Sequence, residues 1–258
     1  MNAAFADIAT AASRWRIWFL MGNQEIALRY RRSTLGPFWI SLTMLMMVLG
    51  IGILYSQIFK VPFKEYVIFI SAGLLAWNYL SSLIIESASV VIENEAHFKS
   101  LPIPAPIFAA KMAYRNFIIF LHNALVVVVL LLILQSLKAT ALLALVGVAV
   151  YALVGFNLGL ILGPLSARFR DIPQLIASVL QLAFFVTPIV WAPKQLSHNH
   201  PAITFNPLYH LMQLVREPLL GRLPTAENWA VCAAIVVVLS LAAVASQAFT
   251  RKKIFIWL

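Results

Sequence analysis

The chain contains six long apolar stretches, and its Lys and Arg residues lie almost entirely between or beside them. A helix that crosses a bilayer needs about 20 predominantly apolar residues, and each stretch is close to that length. The predicted spans 1 to 6 are Trp39–Ile58, Tyr66–Ile85, Ala113–Leu134, Leu142–Leu165, Pro173–Trp191 and Trp229–Phe249. Because little else remains to fold in water, we predict an all-α integral membrane protein that works in or across a bilayer.

Composition agrees with this fold class. Hydrophobic residues make up 62% of the chain and charged residues 11%, with a mean hydropathy of +0.90, whereas soluble domains carry about 25% charged residues. The net charge of +10 does not indicate nucleic-acid binding, because basic residues at span edges set topology. A single cysteine, Cys232, excludes a disulfide framework. We predict one membrane domain over 1–258, with an interfacial helix in 1–34 and a six-span bundle in 35–258.

The basic residues also predict orientation. With the N-terminus in the cytoplasm, 13 of the 19 Lys and Arg residues fall in cytoplasmic segments and 6 in outer segments. The positive-inside rule therefore predicts that both termini are cytoplasmic. The run Arg251-Lys252-Lys253 after span 6 also predicts a cytoplasmic C-terminus. The first 38 residues lack the compact apolar core and small-residue cleavage site of a signal peptide.

Residues 5–30 are predicted to form an amphipathic helix. Trp15 and Trp18 stand beside Arg14 and Arg16, a pattern typical of a helix in the headgroup region, and a solvated N-terminal helix is the alternative. The string RYRRSTLGPFW follows at 29–39, and its Gly-Pro pair ends one helix and begins the next.

The loop after span 2 is cytoplasmic in this topology and is the candidate for docking a soluble partner. Its Pro-rich end, 101–106, stops any helix. A solvated connector is the alternative. The polar residues of this candidate docking segment are Glu93, Asn94, Glu95, His97 and Lys99.

Two further signals concern packing. Gly155, Gly159 and Gly163 in span 4 are spaced by four residues and form a flat stripe on which another helix can pack. Thr187-Pro188 predicts a kink or break near the outer end of span 5.

The segment 192–227 is the one long outer segment and contains a short helix with one apolar stripe. Tyr209, His210 and Arg216 fall off that stripe. The helix is too short to span, so it lies on the outer surface or dips back between the spans. It acts there as an outer gate or as a cap on the bundle.

The middles of the spans lack Asp, Glu, Lys and Arg, which disfavours an ion-coupled carrier. The chain has no P-loop for ATP hydrolysis and no nucleophile or zinc-protease motif, which disfavours an intramembrane enzyme. His198 and His200 alone make a weak metal site, and we predict no metal or cofactor.

Aromatic side chains remain as candidate substrate contacts. Their faces suit a conduit for a hydroxyl-rich substrate such as a sugar chain, although packing and interface anchoring are the alternative for each one. These candidates are Phe38, Trp39 and Tyr55 in span 1, and Phe184, Phe185 and Trp191 in span 5.

The strings RYRRSTLGPFW, SARFRDIPQL, FFVTPIVW and FNPLYHLMQLVREPLL occur in this order along the chain. Together they resemble the transmembrane subunit of type-2 ABC exporters of polysaccharide, which include O-antigen, capsule and teichoic acid permeases. These sequence strings are most similar to those of the O-antigen branch. The resemblance covers essentially the whole chain.

This resemblance implies a permease homodimer in the bacterial inner membrane that binds two copies of a cytoplasmic ATPase, which alone binds ATP and Mg. It implies that the docking segment after span 2 is a coupling helix and that spans 1 and 5 line the conduit. Arg29, Arg31 and Arg32 would meet a lipid pyrophosphate, and bidentate Arg contacts suit phosphate. The helices after span 5 would be outer gates.

The leading hypothesis is therefore export of a polyprenyl-pyrophosphate-linked polysaccharide, with O-antigen as the expected cargo. An exporter of capsule, teichoic acid, lipo-oligosaccharide or drug is the alternative within the same class. An ion-coupled carrier, an intramembrane enzyme and a structural scaffold are the rivals from other classes.

Overall fold

The computed structural model of the protein describes residues 2–31, 33–36, 38–100, 103–192 and 201–258. Every regular element within these ranges is a helix, as predicted. In chain order the helices are α1 (Asn2–Ser13), α2 (Trp15–Tyr30), α3 (Phe38–Ile58), α4 (Phe63–Ser89), α5 (Glu95–Ser100), α6 (Ala105–Ile133), α7 (Ala144–Arg168, after a 3-10 turn at Ala139–Leu143), α8 (Ile172–Val186), α9 (Pro201–Thr204), α10 (Pro207–Leu219), α11 (Ala226–Thr250) and α12 (Ile254–Trp257).

Among the described residues, five helices are long and apolar enough to cross a membrane, namely α3, α4, α6, α7 with its preceding turn, and α11. The sixth apolar helix, α8, has only 15 residues, which is about 22 Å at 1.5 Å per residue. The predicted span 5 is thus too long, since the helix ends at Val186 and not at Trp191. Thr187 adopts an extended backbone with ψ 134°, because the ring of Pro188 disfavours the helical conformation in the preceding residue.

The helix α4 is the centre of the bundle. It packs against α3, α6, α7, α8 and α10, and all eight residues from Ile70 to Trp77 are buried. A helix that is buried around its whole circumference has no lipid-facing side over that length. The spans α3, α6 and α7 therefore pack directly on α4, whereas α11 packs on α7 and α10.

The two ends of the bundle are distinct. The terminal end holds α1, α2, α5 and α12, where Arg251 Nε pairs with Asp7 Oδ2 at 3.0 Å and Lys99 Nζ donates to the Leu258 carbonyl at 2.9 Å. The far end holds the turns after α3 and α6 together with α9 and α10, and Thr140 donates to the Pro218 carbonyl there at 3.0 Å.

The N-terminal amphipathic segment differs from its prediction in one respect. It forms two helices that meet at Arg14, so the prediction of one continuous helix over 5–30 was wrong. Small side chains, Ala4 and Ala11, face the protein, whereas Phe5 and Trp15 are about half exposed at 53% and 48%. Exposed aromatic groups beside basic residues suit the headgroup region, where an interfacial helix lies.

Glycine allows α7 to lie close to its neighbours. A Cβ added at Gly155 would lie 2.7 Å from Leu83 Cδ2, and one at Gly163 would lie 2.8 Å from Val90 Cγ1. The predicted small-residue stripe therefore packs against α4 and the residues that follow it at Gly155 and Gly163, and against Ala109 of α6 at Gly159. Gly147, which lies outside the predicted stripe, makes the closest approach, because an added Cβ would be 2.6 Å from the Leu214 carbonyl oxygen of α10.

We predict opposite effects for two glycine substitutions. Gly147→Ala should lower the stability of the protein in detergent by about 1–3 kcal/mol, because the backbone of α10 blocks the new methyl group. Gly50→Ala should leave stability unchanged or raise it, because alanine favours the helix and the added Cβ would meet no atom of the described chain within 4 Å beyond its own helix backbone. Thermal unfolding of both variants measures this, and an equally stable Gly147→Ala protein would contradict the backbone contact.

Candidate functional site: a charge cluster, a docking segment and a buried outer helix

A cluster of charged and amide side chains lies at the terminal end. Lys111 and Arg115 are one turn apart on the same face of α6, and they are only 2% and 8% exposed. Buried cations need partners, because an unpaired charge away from water is costly. We call the whole set the charge cluster, and its members are Glu25, Glu86, Glu93, Asn94, Lys111, Arg115 and Asn116.

Lys111 joins the N-terminal helices to the docking segment. Its ammonium group pairs with the Glu25 carboxylate of α2, and it donates to Asn94 Oδ1 at 2.6 Å. The other end of the Asn94 amide donates to the Val90 carbonyl at 2.7 Å. One lysine therefore connects α2, α6 and the segment that precedes α5.

Arg115 makes a second connection of the same kind. One guanidinium nitrogen lies 2.5 Å from Glu25 Oε2, and the other lies 2.7 Å from Glu86 Oε2 of α4 and 3.9 Å from Glu93 Oε2. Asn116 also donates to Glu86. The planar fork of arginine suits such multiple carboxylate contacts. The cluster therefore joins α2, α4, α6 and the docking segment.

The Glu25 carboxylate is the part of the cluster that α2 contributes. Its partial burial favours the protonated form, but the hydrogen bond from Lys111 and the charges of Lys111 and Arg115 outweigh burial, so the pKa of Glu25 lies below its usual value of 4.5. The carboxylate is therefore ionised at neutral pH and keeps both cations paired.

Sequence reasoning missed Glu25, Glu86, Lys111 and Arg115 as site residues. One signal for them was present, because two cations four residues apart near the start of a long apolar helix demand buried partners. Their partners could not be identified from spacing, since Lys111 and Glu25 are 86 residues apart.

The structure divides the predicted docking residues into two groups. Asn94 is buried in the charge cluster, and Phe98 anchors α5 by packing on Phe108 at a ring distance of 4.7 Å. His97 and Lys99 are exposed. Glu95 lies between these groups, with its carboxylate 2.5 Å from Lys99 Nζ and 3.7 Å from Arg170.

The predicted phosphate-binding arginines lie next to the charge cluster along the chain. Arg29 is in the last turn of α2 and Arg31 follows that helix, and both side chains are exposed. Arg32 lies outside the described residues, as do His198 and His200 of the weak metal candidate. Glu25 is one turn before Arg29 on α2, so the cluster holds the helix that carries Arg29 and ends next to Arg31.

The predicted conduit aromatics do not form one pocket within a single chain. Phe38, Trp39, Tyr55 and Phe185 are all exposed. Phe184 instead turns inward and packs on Trp77 of α4 at a ring distance of 5.7 Å. Trp191 lies beyond the end of α8, where its indole nitrogen donates to the Phe185 carbonyl at 3.2 Å.

The short helix α10 dips back into the bundle, which was one of the two predicted placements. It packs against α4, α7 and α11. Arg216, which falls off the apolar stripe of this helix, is only 1% exposed. Its Nε donates to Gln213 Oε1 at 2.9 Å, and its NH1 group donates to the Pro188 carbonyl at 2.5 Å.

One more buried polar side chain, His210, fixes α10 to the residues around it, whereas Gln213 makes its contacts within α10. His210 is also buried, with its ring nitrogens 2.9 Å from Asn228 Oδ1 and 2.9 Å from the Thr204 carbonyl. Gln213 donates to the Tyr209 hydroxyl at 2.8 Å. The predicted gate residues His210 and Arg216 thus bind groups outside α10, whereas the Tyr209 hydroxyl accepts from Gln213 of the same helix.

Known proteins similar to this chain are membrane transport proteins. The ABC-2 type transporter family model matches residues 16–220. An O-antigen export system permease protein RfbA from Myxococcus xanthus is 27% identical over 230 residues, which cover 86% of this chain and 87% of that protein. A protein of the same name from Klebsiella pneumoniae is 24% identical over 193 residues, which cover 72% of this chain and 73% of the relative.

These similarities agree with the arrangement of the helices. The family match extends from α2, which carries Glu25, to the end of α10 and so includes the charge cluster, the candidate docking segment and the buried helix α10. The relatives named as O-antigen permeases align over most of their own length. The chain is a multi-pass membrane transport subunit and belongs to the ABC-2 type transporter family.

Proposed function

We propose that this chain is the permease subunit of an exporter that moves lipid-linked polysaccharide, with O-antigen on polyprenyl pyrophosphate as its cargo. It acts in the inner membrane with both termini in the cytoplasm, and a separate ABC ATPase binds ATP and Mg and supplies the energy. The observation that carries this proposal is the charge cluster, which connects the docking segment to α2, α4 and α6. The similarity to O-antigen permeases supports the choice of cargo.

In this proposal the exposed side of α5 docks the ATPase. His97 and Lys99 face outward and make the contact, while Phe98 and Asn94 fix α5 to the bundle. A displacement of α5 acts on Asn94 and, through Lys111, on Glu25 of α2. A chain of ion pairs transmits such a displacement well. Breaking one buried ion pair would leave a buried charge without a partner, which has a large free-energy cost, so the paired groups move together.

The interfacial helix α2 presents the cargo-binding arginines in this mechanism. Arg29, Arg31 and Arg32 bind the pyrophosphate of the carrier lipid at the cytoplasmic membrane surface, because guanidinium groups make bidentate contacts with phosphate oxygens. Movement of α2 by the charge cluster then moves the bound lipid head towards α3.

The conduit forms between two copies of the permease. A single chain leaves apolar and aromatic side chains exposed on both α3 and α8, among them Trp39, Tyr55 and Phe185. These faces line the conduit and meet across the homodimer axis, with α10 of each copy near the outer exit as a gate. Two permeases dock two ATPases.

The docking role of α5 predicts a specific defect in Glu95→Lys. Glu95 contacts only groups near the surface, and pairs of that kind contribute about 0–1 kcal/mol to stability. The variant should insert and unfold like the wild type but should co-purify with much less ATPase and export less polysaccharide. Glu65→Lys reverses an exposed charge at the far end and is the matched control. Undiminished ATPase binding by Glu95→Lys would remove the docking assignment.

The charge cluster predicts a stability loss and a pH dependence. Arg115→Met should destabilise the protein by about 3–5 kcal/mol, because it leaves the Glu25 and Glu86 carboxylates without their shared cation. Because the pKa of Glu25 is depressed, the stability that its ion pairs contribute is present above pH 4.5 and falls as the pH drops further. Thermal unfolding between pH 7 and pH 3 should show a smaller decline for Glu25→Gln than for the wild type, and parallel curves would contradict this role.

The phosphate role of α2 predicts a difference between two double variants. Arg29→Ala/Arg31→Ala should reduce export by about tenfold or more, because charge-assisted contacts to the pyrophosphate are lost. Arg29→Lys/Arg31→Lys keeps the charge that sets topology but loses the bidentate fork, so its export should be intermediate. Cysteine labelling of the loops checks the orientation of each variant. Full export by the alanine variant in the correct orientation would refute this role.

A further inference from the structure

A groove between three spans contains polar side chains that the coupling mechanism does not use. It has a volume of about 350 Å³ and is lined by Trp39, Thr43 and Met47 from α3, Asn78 and Ser82 from α4, and Asn123 from α6. Trp39 and Met47 are 45% and 43% exposed, so the groove opens to the surface of the chain. All these side chains are uncharged.

The groove reaches from the terminal end to hydrocarbon depth. Trp39 is the second residue of α3 and marks its mouth. Ser82 and Asn78 precede the terminal end of α4 at Ser89 by about 10 and about 16 Å, at 1.5 Å per residue. Since the hydrocarbon core of a bilayer is about 30 Å thick, these polar groups lie where lipid tails offer no hydrogen bonds.

Two amides in the groove lack good partners. Asn123 is only 9% exposed, and its Oδ1 atom has no hydrogen-bond partner in the described part of the chain. Asn78 Nδ2 lies 3.6 Å from the Met44 thioether sulfur, which is a weak acceptor. By contrast, the Asn157 amide in α7 donates to Ser240 Oγ at 2.9 Å. Poorly paired polar groups inside a membrane are expensive and indicate a binding site.

We propose that the groove binds the hydroxyl groups of an amphiphile, namely the sugar of the lipid-linked cargo or a hydroxylated phospholipid headgroup. Each amide offers both a donor and an acceptor, which matches a hydroxyl group. The uncharged lining distinguishes this site from the phosphate-binding arginines on α2. Trp39 supplies an aromatic face at the mouth, and Met47 supplies an adaptable apolar wall for the chain. The choice of the cargo sugar as the ligand rests on the proposed export function.

The test compares Asn78→Leu/Asn123→Leu with Asn157→Leu. Because the groove amides lack strong protein partners, the double variant should unfold at the same temperature as the wild type or above it. Asn157→Leu should unfold at a lower temperature, since it breaks a satisfied hydrogen bond. If the unfolding temperature of the double variant drops as much as that of Asn157→Leu, the two groove amides are structural, and the proposed binding site is overturned.

Binding is measured by native mass spectrometry of protein ejected from nanodiscs. The nanodiscs contain phosphatidylcholine alone, phosphatidylcholine with phosphatidylglycerol, or phosphatidylcholine with a polyprenyl-pyrophosphate-linked disaccharide. The wild type and Asn157→Leu should retain a hydroxylated lipid over phosphatidylcholine, and the double variant should lose about tenfold or more of this preference. Enrichment with the disaccharide identifies cargo, and enrichment with phosphatidylglycerol identifies a headgroup. Equal retention by wild type and double variant overturns the proposal.

Co-purification of the ATPase with the same wild-type preparation separates this inference from the proposed function. An ATPase complex without selective lipid retention refutes the groove and leaves the exporter intact. Selective phosphatidylglycerol retention by a protein that binds no ATPase supports the groove and refutes the exporter.

Discussion

The structure depends on one constraint, which is that hydrocarbon cannot hydrogen-bond the backbone. Where α8 stops at Thr187, the following carbonyl groups lose their helical partners. Arg216 donates to the Pro188 carbonyl at 2.5 Å, and the Tyr66 hydroxyl donates to the Val190 carbonyl at 2.8 Å. The break in α8 and the burial of α10 are therefore a single feature, because α10 brings the donor that the break requires.

The same constraint acts on charge at the terminal end. Lys111 and Arg115 lie near the start of an apolar helix, where isolated cations would be costly, and carboxylates from α2, α4 and the docking segment surround them. Ion pairs with shared partners are sensitive to geometry, because Arg115 binds the Glu25 and Glu86 carboxylates at the same time through two different guanidinium nitrogens. The terminal end is thus held by ion pairs between side chains, whereas at the far end Arg216 and Tyr66 donate to backbone carbonyls.

Hydropathy predicted the fold class and the helical core of each span, because the bilayer imposes length and apolarity locally. It did not predict that the N-terminal segment breaks at Arg14, that α8 ends at Val186, or that Arg216 is buried. These features depend on partners distant in sequence, such as Pro188, which is 28 residues from Arg216. The docking segment was visible in its polar composition, but its link to Glu25 was not, since no local pattern pairs residues 86 positions apart.

The spans differ in how firmly the bundle holds them. Within the most apolar window of each helix, 61% of α4 is buried but only 22% of α3. Local stability follows buried contact, so a peripheral helix is displaced at a lower free-energy cost than a central one. In the proposed export activity, α4 and α7 are therefore the helices that stay in place, and they pack closely through glycine. The adaptable wall is then α3, which carries Trp39 and Tyr55 and closes one side of the polar groove.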